Sequence, residues 1–468
     1  MHTTRRRILQ SGLLGSLGSL GGFASSASAA ETPPKSSRRP QGVIFMVSDG
    51  MSHGVLPLAE ELSRQTRKKP TRWWELLSTP GVVHGLMDTP SGNSLVTDSA
   101  AASSAWSSGQ RIPNGHINIS DKGAALESIG QTLAKTKVRL GLVSTATITH
   151  ATPAGFASNS PDRDDEDTIA PQYLGRAEII LGGGSVFFDP AKRKDKKDVL
   201  ADYEVAGYQI LRNRDQLLAA REPRLLGTFT EGHLPYSIDR DHDAALAKAV
   251  PTLAEMTRAA LDRFLPGDAP FLLQVEGARI DHAAHGNDIA GLLHDQIAFD
   301  DAVATVLEAT AGRDDILVIL TSDHGNANPG LNGTGARYAR TDEHFARIAR
   351  MTMSHERLMS VWNAKPGDSA ELRALIKEQL GFEPSAGEAD ALLDVFVGQP
   401  VVEWSHQLAN PPGILGQIAG NHSGIGWTGV SHTADPTLLT ATGPGAEKFA
   451  GLVRNDSVRD RLLGLLPI

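Results

Sequence analysis

The chain has 468 residues, 40% of them hydrophobic and 21% charged, with a formal net charge of −9 and no cysteine. This is ample material for a large packed core, while the absence of a Lys/Arg surplus speaks against a nucleic-acid binder. Without cysteine there are no thiolate ligands or thiol nucleophiles, so any metal must rest on His, Asp, Glu or hydroxyl oxygens.

Residues 1–29 read as an export signal rather than as part of the fold. Thr4-Arg5-Arg6-Arg7-Ile8-Leu9 precedes an uncharged Leu/Gly/Ser stretch that ends in Ala27-Ser28-Ala29, the charged, apolar and small-residue regions of a cleaved leader. The paired arginines followed by Ile-Leu look like the twin-arginine type, which predicts a periplasmic or secreted protein. The competing reading, a membrane anchor, suffers because the stretch is short and Gly-rich for the ~20 residues a span needs. No segment of the mature chain reads as a span. Residues 30–41, with Pro33, Pro34, Lys35 and Pro40, read as a linker.

The fold is expected over 42–468. Val43–Val47 is wholly apolar and stops at Ser48-Asp49-Gly50, the pattern of a buried parallel strand that feeds a functional loop. Similar runs follow at Leu140–Val143, Ile179–Leu181, Phe271–Val275, Ile316–Leu320 and Thr437–Ala441, with helical periodicity between them, clearest over Ile289–Thr310. Alternating strands and helices predict an α/β three-layer sandwich with a mostly parallel central sheet covered on both faces. Its site should lie beyond the carboxyl ends of the strands. The stretch at about 328–426 opens with Gly330, Gly333 and Gly335, then turns helical and charged, and reads as a mostly helical insertion. Ile348, Met351 and Trp362 in it are apolar positions that suit either a contact surface or, the reading preferred, the insertion's own core. Lys192–Lys197 reads as a solvated charge run.

Four acidic or histidine clusters are read as following apolar runs: Asp49; Glu276 with Asp281 and His285; Asp323-His324; and His432. A lone strand-end Asp is usually a cap or turn residue, but four clusters on one sheet edge make a site. Asp281 and His285 share a helix face and can hold one ion between them, a spacing that suits zinc, with His432 completing the set from another strand. Asp49, Asp323 and His324 could build a second site, and Glu276 suits a harder ion such as magnesium. Other histidines, His116, His233, His344, His355, His406 and His422, carry only a structural reading. From Val96 to Gly109 the chain is rich in small residues and opens a helix at Ser99. The smallness would let a substrate approach the backbone, and the helix start would favour a phosphoryl oxygen. Ser99 could be a nucleophile activated by a metal, or it could simply cap the helix.

Asp98-Ser99-Ala100, Val275-Glu276-Gly277-Ala278 followed by Asp281 and His285, Thr321-Ser322-Asp323-His324 and Ser431-His432-Thr433 together resemble the alkaline phosphatase family, over roughly residues 42–450. The resemblance implies hydrolysis of phosphate monoesters through a phosphoserine on Ser99. Asp98 precedes the nucleophile, and Arg163, eleven residues beyond Thr152, is implied as the clamp on two phosphate oxygens. It also implies two zinc ions and one magnesium per chain, with cobalt the alternative at the third position. The implied ligands are Asp281, His285 and His432; Asp49, Asp323 and His324; and Asp49, Thr152 and Glu276. A homodimer is the implied assembly. His150 and His282 stand where some bacterial members carry Asp and Lys, which leaves the third metal and the pH optimum open.

Two other readings remain on the same residues. A phosphodiesterase or sulfatase on the same metal framework would tend to use a Thr or a modified Cys/Ser in a different local motif. A binding protein that had lost its chemistry would show a replaced nucleophile or clamp, and neither Ser99 nor Arg163 is replaced.

Overall fold

The computed structural model describes residues 39–396 and 405–468. The export signal and most of the linker expected from the sequence lie outside the described residues. Ten strands form one sheet: β1 (Gly42–Ser48), β2 (Val83–Met87), β3 (Arg139–Thr147), β4 (Ile179–Gly183), β5 (Gln209–Leu211), β6 (Leu225–Thr228), β7 (Phe271–Gly277), β8 (Ile316–Thr321), β9 (Thr437–Thr442) and β10 (Gly451–Val453). Their order is β10-β2-β9-β8-β1-β7-β3-β4-β6-β5.

Side chains of a strand alternate between faces, and here both faces are apolar. Ile44 and Met46 of β1 enter one core and Val43, Phe45 and Val47 the other. In β8, Ile316, Val318 and Leu320 part from Leu317 and Ile319 in the same way. Each such fully buried side chain contributes about 1.5–3 kcal/mol. Helices Leu253–Phe264 and Ile289–Ala309 cover one face. On the other lie α1 (Ser99–Ser108) and α2 (Ala151–Ala157), with Val458–Leu465. The three-layer α/β sandwich is as expected.

All strands run one way except β9, which is antiparallel to both β8 and β2. The run Thr437–Ala441 therefore does not belong to the parallel set in which the sequence placed it. Its apolar composition reports double-sided burial, which a central antiparallel strand shares. Strands β2, β5, β6 and β10 carry no such run. β2, for instance, alternates partly buried and exposed positions down to Met87, so its signal is weak.

The segment 328–426 is mostly helical, with helices Thr341–Phe345, His355–Ala364, Ser369–Leu380, Ala386–Phe396 and Pro411–Ser423. Ile348, Met351 and Trp362 are buried in it, and they join the apolar core on one face of the sheet rather than a separate one. The run Lys192–Lys197 is also not wholly solvated. Arg193 is 1% exposed, held by Asp195 and by the carbonyls of Phe187 and Asp167. Among the described residues no helix is long and apolar enough to cross a membrane.

Candidate active site

Because β1, β7 and β8 are parallel and in register, with Val47 opposite both Glu276 and Thr321, their carboxyl ends set Asp49, Glu276 and Asp323-His324 side by side. His432 reaches the same edge differently. It precedes β9 instead of following an apolar run, and since β9 is antiparallel its amino end lies where the others have their carboxyl ends. A two-residue ladder, His432–Thr433 against Gly325–Asn326, then stacks the His432 ring on that of His324, with centroids 3.6 Å apart.

Asp281 and His285 lie one turn apart on α3 (Arg279–His285). His285 Nδ1 donates to the Val430 carbonyl at 2.7 Å, and His432 Nδ1 to the Thr97 carbonyl at 2.9 Å. A carbonyl only accepts, so each neutral ring presents a lone pair at Nε2. Those two Nε2 atoms are 2.9 Å apart, with Asp281 oxygens 3.4 and 3.5 Å away. Lone pairs and an anion that converge on one point call for a cation. Burial pushes the Asp281 carboxyl up, but His285 and His432 in their protonated form outweigh it and hold the acid well below the usual range, the stabilisation that a cation between neutral rings would supply in their place. Asn326 Nδ2 orients it with a 2.7 Å hydrogen bond.

Beside it, Asp49 is fully buried and neither of its carboxylate oxygens accepts a hydrogen bond; Glu276 Oε1 and Asp323 Oδ2 are also unpaired. Burial, with Asp323 next, raises Asp49 far above its ordinary value, and burial takes Glu276 to about 7. Burial would raise Asp323 too, but His324 brings it to about 2. Buried carboxylates without partners are costly, and divalent cations remove that cost. The donor atoms gather into three groups, each within 4.8 Å: Asp281, His285 and His432; Asp49, Asp281 and His324; and Asp49, His150 and Glu276.

The first group is the set expected from the sequence. In the second, Asp281 joins Asp49 and His324, while Asp323 Oδ2 stands 3.1 Å from His324 Nε2. In the third, His150 joins Asp49 and Glu276. The fully buried Thr152 hydroxyl, at the start of α2, has no hydrogen-bond partner of standard geometry.

Ser99 does not cap α1. Asp98 does, accepting from Ala101 N at 2.8 Å, and this leaves the Ser99 hydroxyl free to meet His324 Nε2 at 3.1 Å. The small residues that follow are buried against α2. Ser103 Oγ donates to the Ala151 carbonyl at 3.0 Å, and a Cβ on Gly155 would come within 2.2 Å of Ser103 Oγ. Their smallness thus serves close helix packing. The other Asp98 oxygen accepts from Gly115 N at 2.8 Å and from Arg163 Nη1 at 3.2 Å, which aims the guanidinium beside Ser99. Arg163 Nη2 also donates to His150 Nε2 at 3.2 Å.

Three imidazoles pack behind the clamp. The His150 and His282 ring centroids are 5.5 Å apart, and His233, given only a structural reading above, lies 5.5 Å from the first and 4.5 Å from the second. Burial, then a nearby arginine, holds His150 and His282 well below the ordinary imidazole range and His233 at about 4, so all three are neutral at neutral pH. His233 Nδ1 accepts from Thr147 N at 3.0 Å. Nothing in its local sequence marks it, since it comes from a loop after β6 that only the fold brings here. Ser144, which donates to Glu276 at 2.5 Å, was hidden for the same reason.

The alkaline phosphatase family model matches residues 40–466. Alkaline phosphatase 3 of Bacillus subtilis is 28% identical over 431 residues, covering 89% of this chain and 87% of its own. The crystal structure of the Thermus thermophilus alkaline phosphatase superposes with a TM-score of 0.85 at 32% identity, covering 96% of each chain. A cold-active alkaline phosphatase from Shewanella superposes with a TM-score of 0.75 at 28% identity, covering 91% of this chain and all of that one.

Proposed function

We propose, for a chain that belongs to the alkaline phosphatase family and hydrolyses phosphate monoesters, that Ser99 is the nucleophile and Arg163 the phosphate clamp. The family is metal-dependent, and the three donor groups could hold metals. Our finer reading assigns zinc to Asp281, His285 and His432 and to Asp49, Asp323 and His324, and magnesium to Asp49, Thr152 and Glu276, with His150 beside it. Bound there, such ions supply Lewis-acid stabilisation of the transferring group and ease ionisation of a neighbouring hydroxyl.

The chain's own residues do the rest. Arg163, aimed by Asp98, binds two non-bridging oxygens in a fork that matches them. The amino end of α1 adds a partial positive charge next to Ser99. Ser99 Oγ attacks phosphorus as the alcohol leaves, and water then hydrolyses the phosphoserine to inorganic phosphate. Charge stabilisation on the transferring group is the main catalytic term, as for other phosphoryl transfers. Hydrolysis of diesters or sulfate esters on the same framework is not favoured by the relatives.

The observation that supports the reading most is the uncapped Ser99 hydroxyl, 3.1 Å from His324 and flanked by unpaired buried carboxylates. We further read 42–468 as the catalytic domain, 328–426 as inserted into it, residues 1–29 as a twin-arginine export signal for a periplasmic or secreted enzyme, and the assembly as a homodimer. The test is hydrolysis of a chromogenic monoester by wild type and Ser99→Ala, before and after chelation, with zinc and magnesium restored separately. Activity that chelation abolishes and metal restores, with Ser99→Ala nearly inactive, is the expected result. Wild-type activity in Ser99→Ala would remove the nucleophile.

A further inference from the structure

Helix α3 presents two stripes of residues to two different places. Asp281 and His285, four residues apart, supply donors to the first cation group. His282 and Gly286 are also four apart, on a stripe about 100° further round the helix, and they wall a cavity of about 250 Å³. Most of the remaining wall comes from the 328–426 segment. Helix His355–Ala364 contributes His355 and Met359, and helix Pro411–Ser423 contributes Pro411 and Leu415. Each pair has the four-residue spacing that shares a helix face. Tyr236 completes the apolar part, with the Arg279 guanidinium 3.8 Å from its ring centroid.

A run of contacts joins this cavity to Ser99. The Ser99 hydroxyl meets His324 Nε2 at 3.1 Å, and the His324 ring stacks on that of His432 at 3.6 Å. His432 Nε2 is 2.9 Å from His285 Nε2, and Gly286 follows His285 in the chain. An in-line displacement puts the leaving oxygen opposite the attacking one, so an alcohol that departs away from Ser99 heads for the far end of that run. The cavity stands there, about one helix width, or roughly 10 Å, from the first cation group. Its charges suit the alcohol and not the phosphate. Glu356 lies on the wall with its side chain 65% exposed and pairs with Arg279 at 2.8 Å. Asp288, also on the wall, accepts from Gly291 N at 2.9 Å and from His355 N at 2.7 Å. Two carboxylates against one arginine leave a negative balance, which repels a dianion.

We propose that this cavity is the subsite for the alcohol part of the monoester, and that it selects neutral or cationic alcohols with an apolar body, such as one aromatic ring, over short polar or anionic ones. The proposal rests on the reading of Ser99 as nucleophile and Arg163 as clamp given above. Phosphoryl transfer stays with the sheet edge, and the 328–426 segment decides which alcohol that edge receives.

The test compares three alkyl monoesters on the metal-loaded enzyme: 2-phenylethyl phosphate, ethyl phosphate and the phosphate ester of 3-hydroxypropionate. Their leaving alcohols are close in basicity, so ratios of kcat/KM report the tail. Wild type should prefer the phenylethyl ester to the ethyl ester by about tenfold, the effect of apolar groups in a fitted pocket, and the carboxylate-tailed ester should be the poorest. Met359→Trp fills the cavity and Leu415→Ala removes part of its wall. Each should lower kcat/KM for the phenylethyl ester about tenfold, while ethyl phosphate, inhibition by inorganic phosphate and metal content change by less than about twofold. Two variants with opposite effects on volume keep the test readable if one of them fails to fold. Equal kcat/KM for the three esters in wild type, or variants that slow all three alike, would overturn the proposal. A Ser99→Ala variant that stayed active would instead remove the nucleophile, and the ratio between esters would still report on the cavity.

Discussion

Gly50 gives the sharpest test of how the backbone shapes the first cation position. It follows Asp49 with φ of +65°, and a Cβ there would lie 2.3 Å from Asp281 Oδ1 and 2.8 Å from Asp281 Cα. In Gly50→Ala the left-handed backbone costs about 1 kcal/mol, and overpacking adds about 1–3 kcal/mol. Ordinary contact needs roughly 3.5 Å between heavy atoms, so Asp281 would retreat by about 1 Å. Its hydrogen bond to Asn326 would be disturbed, and so would its approach to His285 and His432. A misplacement of about 1 Å at a reacting centre can cost about 100-fold in rate. The assay is kcat/KM at limiting and saturating zinc, with thermal unfolding of the chelated protein. We expect the chelated variant to lose about 2–4 kcal/mol, and activity to fall by about 100-fold and recover in part as zinc is raised. A variant with wild-type zinc affinity and rate would refute the claim that Gly50 is there to admit Asp281.

Two other positions make separate predictions. Asp295 is buried and accepts from Ser237 N at 2.9 Å and Ser237 Oγ at 3.2 Å, and burial raises it from 3.8 to about 7. A folded-state value above the unfolded one means stability that is full below about pH 4 and lost as pH rises through about 7, at roughly 1.4 kcal/mol for each pH unit between the two values. Asp295→Asn should therefore melt close to wild type at pH 4 and clearly above it at pH 9, and equal midpoints at pH 9 would contradict the assignment. Thr152→Val removes a buried hydroxyl that makes no protein hydrogen bond of standard geometry. Its chelated form should melt at or slightly above wild type, whereas the gain in activity on adding magnesium to zinc-loaded enzyme should shrink; an unchanged magnesium response would count against Thr152 as a ligand.

Much of this was legible in the sequence because the central strands are buried on both faces. Val43–Val47 and Ile316–Leu320 read as unbroken apolar runs, and Asp49 and Asp323 stand where those runs stop. Asp281 and His285 were legible through helical spacing, and α1 through its start at Ser99. Direction was not legible. The apolar run of β9 has no polarity, so His432 was given the right edge for the wrong reason. Roles carried by packing were hidden too. Asp98, not Ser99, caps α1, and its Ala and Ser residues are small because α2 lies against them. His233 and Ser144 come to the site through a loop and through strand register, which no local pattern encodes.

The antiparallel entry of β9 also sets an order of events in synthesis. Asp49 is made 383 residues before His432 (432 − 49), and at about 5–20 residues per second this is an interval of roughly 20–80 s. During that time β1, β7 and β8 can pair and gather their carboxylates, while the first cation position still lacks one of its two imidazoles. A nascent chain shorter than 432 residues can hold most of the sheet edge and yet lacks one of the three side chains of that group, so under the proposed assignment a cation is captured there only after His432 has been made.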